Sequence, residues 1–96
     1  MRGRVKFKFC LYIAGGTQNS ASAVANLGAL CRTHLPDQHE IEVVDVLRAP
    51  KRALADGIFM TPTLVQRAPP PARRIVGTLS QTRIVLQSLG LDMVAA

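Results

Sequence analysis

Two cysteines, Cys10 and Cys31, are the strongest nucleophiles in this chain of 96 residues. A dithiol oxidoreductase needs an attacking thiolate and a resolving thiol, normally spaced Cys-x-x-Cys at the start of a helix. These cysteines are 21 positions apart, and residues 15–20, which follow the first predicted strand, offer only hydroxyl nucleophiles. Because free cysteines are usually buried, the sequence predicts two reduced thiols in a core and no oxidoreductase activity.

Other reactive groups give weaker patterns. Gly15-Gly16-Thr17 could cradle a phosphate, but the lysine and spacing of a P-loop are missing, so a tight turn is favoured. Cys31, His34 and His39 supply three metal ligands without a fourth nearby, so no metal site and no cofactor are predicted. Asp45, in an apolar segment, could act as a base with a raised pKa, but a hydrogen-bonded carboxylate at a strand end is favoured.

The net charge is +6, which favours acidic partners. The basic residues near the N-terminus are Arg2, Arg4, Lys6 and Lys8. Their alternate positions place them on one side of a strand, and with Arg73 and Arg74 they could contact phosphates, so a nucleic-acid-binding module is the alternative function. Aromatic residues are only 4% of the chain, and basic strand faces commonly prevent edge aggregation, so this alternative is disfavoured.

Composition and length predict one folded domain over residues 1–96. Hydrophobic residues make up 48% of the chain and charged residues 19%, as in globular proteins. The longest apolar run, residues 9–14, is far shorter than the ~18–20 residues that span a bilayer, so no membrane span is predicted, and a membrane is not among the expected partners. Ala21-Ser22-Ala23 resembles a signal-peptidase site, but the apolar run before it is too short for a signal peptide. We therefore predict a cytoplasmic protein.

Hydrophobic periodicity predicts a strand, a helix and a second strand in the first half. Apolar residues occupy every odd position of residues 5–13, which is typical of a strand. A helix is predicted over residues 18–34, with Asn19 or Ser20 as its N-cap. Its apolar stripe is Ala23, Val24, Leu27, Leu30, Cys31 and Leu35. The β-branched segment 41–47 predicts a second strand, parallel to the first.

Turn residues divide the second half into four elements. Pro50 suits the first turn of a short helix ending near Asp56, where Gly57 can adopt a left-handed conformation. Strands are predicted over residues 64–67 and 74–78, forming an antiparallel pair around a proline-rich bend. A last helix is predicted to be capped by Ser80, to carry Ile84, Val85 and Leu89, and to end at Gly90. The predicted order is βαβαββα in one α/β domain.

Four segments in fixed order resemble the KaiB family of circadian clock proteins. They are residues 11–20 (LYIAGGTQNS), residues 44–47 (VDVL) with Pro50, residues 61–64 (TPTL), and residues 69–77 (PPPARRIVG) with Leu79 and Ser80. The resemblance runs from about Val5 to Leu91 and implies a thioredoxin-like fold. It also implies a protein without enzymatic activity that docks on the KaiC ATPase ring and times its phosphorylation cycle.

The resemblance further implies an alternative fold, a tetramer in which the C-terminal half is rearranged. Proline isomerisation is slow, so we hypothesise that isomerisation at Pro62, Pro69, Pro70 and Pro71 separates the two folds kinetically. Finding the same proline isomers in both folds would contradict this hypothesis. The commoner role of such prolines is to stiffen loops. Ser88 and Gly90 replace a family Gly and Asp, and these substitutions are expected to shift the balance between the folds. Dimers or tetramers are therefore expected as alternatives to the monomer.

Partner contacts are also implied by the resemblance. Arg73 and Arg74 match a basic pair of the family and are predicted to bind acidic residues of the partner. Gly15, Gly16, Asn19 and Ser20 are predicted to shape a contact loop. Glu40-Ile41-Glu42 replaces the usual Ala-Leu-Lys, which argues against KaiA as a partner. The expected partners are a KaiC-type ATPase or a histidine kinase with a KaiB-like sensor domain, in a simpler timer or a stress response.

Overall fold

The computed structural model describes residues 6–91, so Arg2, Arg4 and Val5 lie outside the described residues. The predicted order βαβαββα is confirmed. The elements are β1 (Phe7–Ile13), α1 (Gln18–His34), β2 (His39–Asp45), α2 (Pro50–Ala55), β3 (Thr63–Ala68), β4 (Arg73–Val76) and α3 (Thr82–Ser88). The predicted span of α1 is reproduced residue for residue.

The strands form one sheet in the order β2-β1-β3-β4. β1 and β2 are parallel, whereas β1 pairs with β3 and β3 with β4 in antiparallel fashion, as predicted for the last pair. Because successive side chains on a strand point to opposite faces, the sheet separates two apolar clusters. The edge strands of this sheet are β2 and β4.

Each face of the sheet is covered by helices. On one face, β1 and β3 pack against α1 and α3 through Phe9, Leu11, Leu64, Ala23, Leu27, Leu30, Cys31, Leu35, Leu79, Val85 and Leu89. On the other face lies a smaller cluster around the short helix α2, formed by Cys10, Tyr12, Val44, Ala53, Ile58 and Val65. Burying these apolar side chains is the main force that holds the layers together.

The N-cap of α1 differs from the prediction, although the helix begins where expected. Thr17, and neither Asn19 nor Ser20, is the N-cap, and its side chain accepts the Ser20 N–H. Ser20 is instead buried under the preceding loop. The predicted core residue Val24 is 39% exposed, because at about 100° per residue the buried stripe is centred on Ala23 and Leu27.

Strand ends also differ from the predictions. β2 stops at Asp45 rather than at residue 47, because Asp45 Oδ1 accepts the Leu47 N–H at 2.9 Å and turns the chain. β4 stops at Val76 rather than at residue 78, because Gly77, with a φ of 122°, bends the backbone away.

The predictions of where the two helices of the second half begin and end are confirmed in part. Pro50 lies in the first turn of α2, and Gly57 and Gly90 have φ values of 67° and 74°. Ser80 does not cap α3, which begins after Gln81 without a side-chain cap. The buried Leu79 has a φ of 63°, so the chain is still turning when it reaches Ser80.

Three X-Pro peptide bonds are cis, namely Thr61–Pro62, Ala68–Pro69 and Pro70–Pro71. Pro62 is buried and its carbonyl accepts the Gly77 N–H at 2.9 Å. The Pro69 carbonyl accepts a hydrogen bond from the Gln66 side chain at 2.9 Å. Within residues 6–91, no helix has the length and apolar character needed to cross a membrane.

Candidate docking surface

The two cysteines lie on opposite faces of the sheet. Cys10 belongs to the α2 cluster and Cys31 to the α1 cluster, and both are free and buried. Burial raises the pKa of the Cys31 thiol to about 11, which disfavours the reactive thiolate at neutral pH. The prediction that both cysteines pack unpaired in the core is therefore confirmed.

Thiol labelling tests this arrangement. Because both sulfurs are buried, we expect a water-soluble thiol reagent at pH 8 to label the folded protein about a hundredfold more slowly than the urea-unfolded chain. The measurement is the time course of thiol modification by mass spectrometry. Rapid labelling of either thiol in the folded state would show that it is accessible and would contradict its burial.

The β1–α1 loop is a hydrogen-bonded turn. Gly15 has a φ of 54°, and its N–H donates to Asp45 Oδ1 at 3.0 Å. Ser20 Oγ accepts the Ala14 N–H at 3.0 Å and the Thr17 hydroxyl at 2.8 Å. These bonds confirm the tight turn and the structural interpretation of Asp45.

The predicted contact residues of this loop differ in their exposure to solvent. Gly16 and Asn19 are exposed and Gly15 is half-buried, whereas Ser20 is buried with its hydroxyl engaged inside the protein. Gly16 and Asn19 therefore remain the accessible residues of this predicted contact loop. No hydrogen bond or ion pair within residues 6–91 connects the loop to Arg73 or Arg74.

A polar network fixes the end of α2 to the sheet. The Tyr12 hydroxyl donates to Asp56 Oδ2, and Arg67 Nη2 donates to the same oxygen at 2.5 Å and to the Tyr12 hydroxyl at 3.2 Å. Arg67 and Tyr12 together lower the pKa of Asp56. Burial, followed by the hydrogen bond to Asp56, raises the pKa of Tyr12 to about 12. The network stabilises the segment that precedes Phe59.

The two arginines of the predicted basic pair lie on opposite faces of the sheet. Arg73 is half-buried on the α3 side of the sheet, and its Nη1 donates to the Ser88 carbonyl at 3.1 Å. Arg74 is exposed on the α2 side, where its guanidinium donates to the carbonyls of Asp56 and Gly57. Within residues 6–91, neither arginine forms an ion pair with a carboxylate. Arg74 is the exposed member of the pair, and the carbonyls that it binds leave its positive charge uncompensated towards a partner.

Arg74 borders an apolar cleft of about 150 Å³, which we call the Phe59 cleft. It is lined by Gly57, Ile58, Phe59, Met60, Thr63, Arg74 and Val76. Phe59 is 88% exposed, and Met60 and Val76 are each 56% exposed. An aromatic side chain so exposed beside a cation is typical of a protein-binding surface.

Sequence reasoning missed Phe59 and Met60. Their apolar character would ordinarily predict burial. The available signal was that the helix end at Gly57 is followed by three large apolar residues, Ile58 to Met60, outside any periodic pattern.

Most surface carboxylates are neutralised by neighbouring cations. Glu42 is bound by both terminal nitrogens of Arg52, at 2.5 and 2.9 Å, which lowers the pKa of the glutamate. Glu40 lies 3.4 Å from Lys6. The substituted β2 edge is therefore occupied by intramolecular ion pairs. Within residues 6–91, no group of three His, Cys, Asp or Glu side chains is placed to hold a metal ion.

The four-stranded mixed sheet with helices on both faces defines a thioredoxin-like α/β protein. Two solved structures share this fold: chloroplastic thioredoxin z, with a TM-score of 0.75 at 17% identity over 93% of this chain and 80% of that one, and the N-terminal domain of Synechococcus elongatus SasA, with a TM-score of 0.70 at 16% identity over 93% and 88%. The loop after β1, where Cys-x-x-Cys would lie, carries no thiol.

Sequence comparison gives the family. The family model described as the KaiB domain matches residues 10–91. The chain is 46% identical to circadian clock protein KaiB3 of Synechocystis sp. over 84 residues, which cover 88% of this chain and 80% of that protein. It belongs to the KaiB family of circadian clock proteins, as its motifs indicated.

Proposed function

We propose that this chain is a non-catalytic clock or timer protein that docks reversibly on a KaiC-type ATPase ring and modulates its phosphorylation cycle. Family membership supports the clock role. The observation that carries docking is the 88% exposure of Phe59 beside the Arg74 guanidinium in one cleft. The aromatic ring supplies apolar contact area, and Arg74 supplies a cation for an acidic residue of the ring.

The absence of catalysis is part of this proposal. Both thiols are buried on opposite faces of the sheet, which supports a binding role rather than disulfide exchange. A histidine kinase with a KaiB-like sensor domain is the second proposed partner. KaiA is not proposed, because the Glu40 and Glu42 ion pairs occupy the β2 edge.

Docking is tested with the full chain and a KaiC-type ATPase encoded in the same genome. We expect Phe59→Ser and Arg74→Glu each to weaken binding about tenfold, because the first removes the aromatic anchor and the second reverses the charge that faces the partner. Biolayer interferometry measures the affinity. Arg32→Glu, on the exposed side of α1, makes the same charge change on the other layer and should leave the affinity unchanged.

The outcomes separate the alternatives. No binding of the wild-type chain to the ring would contradict the proposal, and binding only to the isolated kinase sensor domain would support the second partner. Equal losses in Arg74→Glu and Arg32→Glu would mean that net charge, rather than the Phe59 cleft, controls binding.

We also propose that fold switching accompanies docking, with the thioredoxin-like fold as the binding form. The junction of β4 and α3 is the proposed control point, since Arg73 bonds to the Ser88 carbonyl and Gly90 holds a φ of 74°. Pro62 and Pro69 to Pro71 remain proposed kinetic elements. Chemical shifts of residues 50–96 together with the mass in solution test this: a tetramer with a rearranged C-terminal half would require refolding before docking.

A further inference from the structure

The outer edge of β4 is open along the described chain. Among the described residues, β4 is the last strand of the sheet and pairs with β3 alone. The Gly77 N–H bonds to the Pro62 carbonyl, and bonded and non-bonded pairs alternate along an antiparallel ladder. Continuing this alternation back along β4 turns the backbone of Ile75 towards β3 and the N–H and C=O groups of Arg74 and Val76 outwards. These four groups have no partner within residues 6–91.

Apolar clefts lie on both sides of this edge. On the α2 side is the Phe59 cleft. On the α3 side is a cleft of about 220 Å³, which we call the Ile84 cleft, lined by Ile75, Val76, Thr78, Leu79, Ser80, Gln81, Ile84 and Val85. Ile84 is 52% exposed, and Val76 lines both clefts. An extended peptide at this edge would direct successive side chains alternately into the two clefts.

The opposite edge of the sheet carries charged side chains that disfavour strand pairing. On β2, Glu40 and Glu42 hold intramolecular ion pairs with Lys6 and Arg52, and charged edge residues discourage strand pairing. β4 has no such carboxylates and instead begins with two arginines that lack ionic partners in the described chain. The two edges of one sheet therefore differ in their capacity to accept another strand.

We propose that the β4 edge binds an extended, acidic-apolar segment of a partner protein by strand addition. The acidic residues of that segment face Arg73 and Arg74 at the start of β4, and its apolar residues fill the Phe59 and Ile84 clefts beside Val76. Charge favours an acidic segment over a second copy of this chain. Pairing of two β4 strands would bring the arginine pairs of both copies close together, whereas an acidic segment would neutralise Arg73 and Arg74. The segment would share Arg74 and the Phe59 cleft with the proposed ring docking, but it also needs the backbone groups of β4 and the Ile84 cleft, so it can be tested without the ring.

The test uses the ¹⁵N-labelled full chain and a synthetic hexapeptide, acetyl-Asp-Glu-Glu-Val-Ile-Val-amide, together with its reversed sequence because either strand direction is compatible with the edge. We expect hydrogen exchange at the Arg74 and Val76 amides to slow on addition of one of these peptides. The Ile75 amide, already bonded to β3, should be protected in both states. Replacing the acidic residues of the peptide by lysine should weaken binding about tenfold or more.

Two matched variants localise the contact. Val76→Glu should weaken binding of the acidic peptide about tenfold, because it removes the apolar side chain between the clefts and adds a repelling charge. Val43→Glu on the β2 edge, where Val43 is 44% exposed, should leave the affinity unchanged.

Three results would overturn the proposal. The first is no binding of either peptide at about 5 mM, an affinity too weak for recognition. The second is binding that perturbs the Phe59 cleft while exchange at Arg74 and Val76 stays fast. The third is a concentration-dependent dimer that protects these amides without peptide, which would assign the edge to a second copy. Loss of ring docking with intact peptide binding would count only against the proposed function.

Discussion

Asp56→Ala is expected to lower the free energy of unfolding by about 2 to 3 kcal/mol. The substitution leaves the Tyr12 hydroxyl, on a residue with no exposed surface, without its acceptor, and it removes the carboxylate that Arg67 binds at 2.5 Å. Leaving a buried donor unsatisfied costs more than a typical hydrogen bond contributes. Urea denaturation followed by circular dichroism measures the loss.

Glu42→Ala is the matched control. It also removes a carboxylate bound to an arginine, but both side chains of that pair are about half exposed, at 54% and 46%. Exposed ion pairs contribute little to stability, so the urea midpoint should hardly change. Equal losses in the two variants would mean that the Tyr12 network does not fix α2 to the sheet.

The same network predicts the pH dependence of stability. Arg67 and Tyr12 lower the pKa of Asp56 in the folded state. The stabilisation that the Asp56 carboxylate gives the fold is therefore complete above its unfolded-state pKa of about 3.9, and it is lost as the pH falls through the folded-state pKa. The pKa of Tyr12 is raised to about 12, so its contribution is complete below about pH 10 and declines as the pH rises towards 12. In thermal melts across pH, Asp56→Ala should flatten the acid limb and Tyr12→Phe the alkaline limb.

Gly90→Ala is expected to destabilise the thioredoxin-like fold by about 2 kcal/mol, a shift of about 30-fold in its population. Gly90 has a φ of 74°, a conformation that costs an alanine about 1 kcal/mol. A β-carbon there would lie 3.1 Å from Arg73 Nη2, so the guanidinium must move and weaken its bond to the Ser88 carbonyl. The urea midpoint, the chemical shifts of residues 50–96 and the mass in solution report the change.

Ser88→Ala is the control for this prediction. Only the backbone carbonyl of Ser88 accepts the Arg73 bond, and its side chain is exposed at the end of α3, so alanine should leave stability and mass unchanged. A Gly90→Ala protein with unaltered stability would remove Gly90 from the proposed control of fold switching. A protein that loses stability and becomes a tetramer would support that control.

Local patterns predicted much of the fold. The alternation in β1 and the apolar stripe of α1 span enough residues to specify their periods, and Gly57 and Gly90 ended their helices where expected. Caps were less predictable, because several polar residues in succession could accept the same N–H: Thr17 caps α1, and Ser80 caps nothing. The difference between Ala23 and Val24 arises from packing, since both fit a helical stripe and only one faces the sheet.

The sequence by itself determined the order of elements, the placement of two thiols away from any redox motif, and membership of the KaiB family. Tertiary structure alone decided which groups meet. In the Tyr12 network, Asp56 lies 44 positions and Arg67 lies 55 positions further along the chain than Tyr12. The Phe59 cleft and the open β4 edge arise from the order of the strands in the sheet. Periodicity reflects interactions within a few turns or residues, whereas these features depend on long-range pairing that leaves no local pattern.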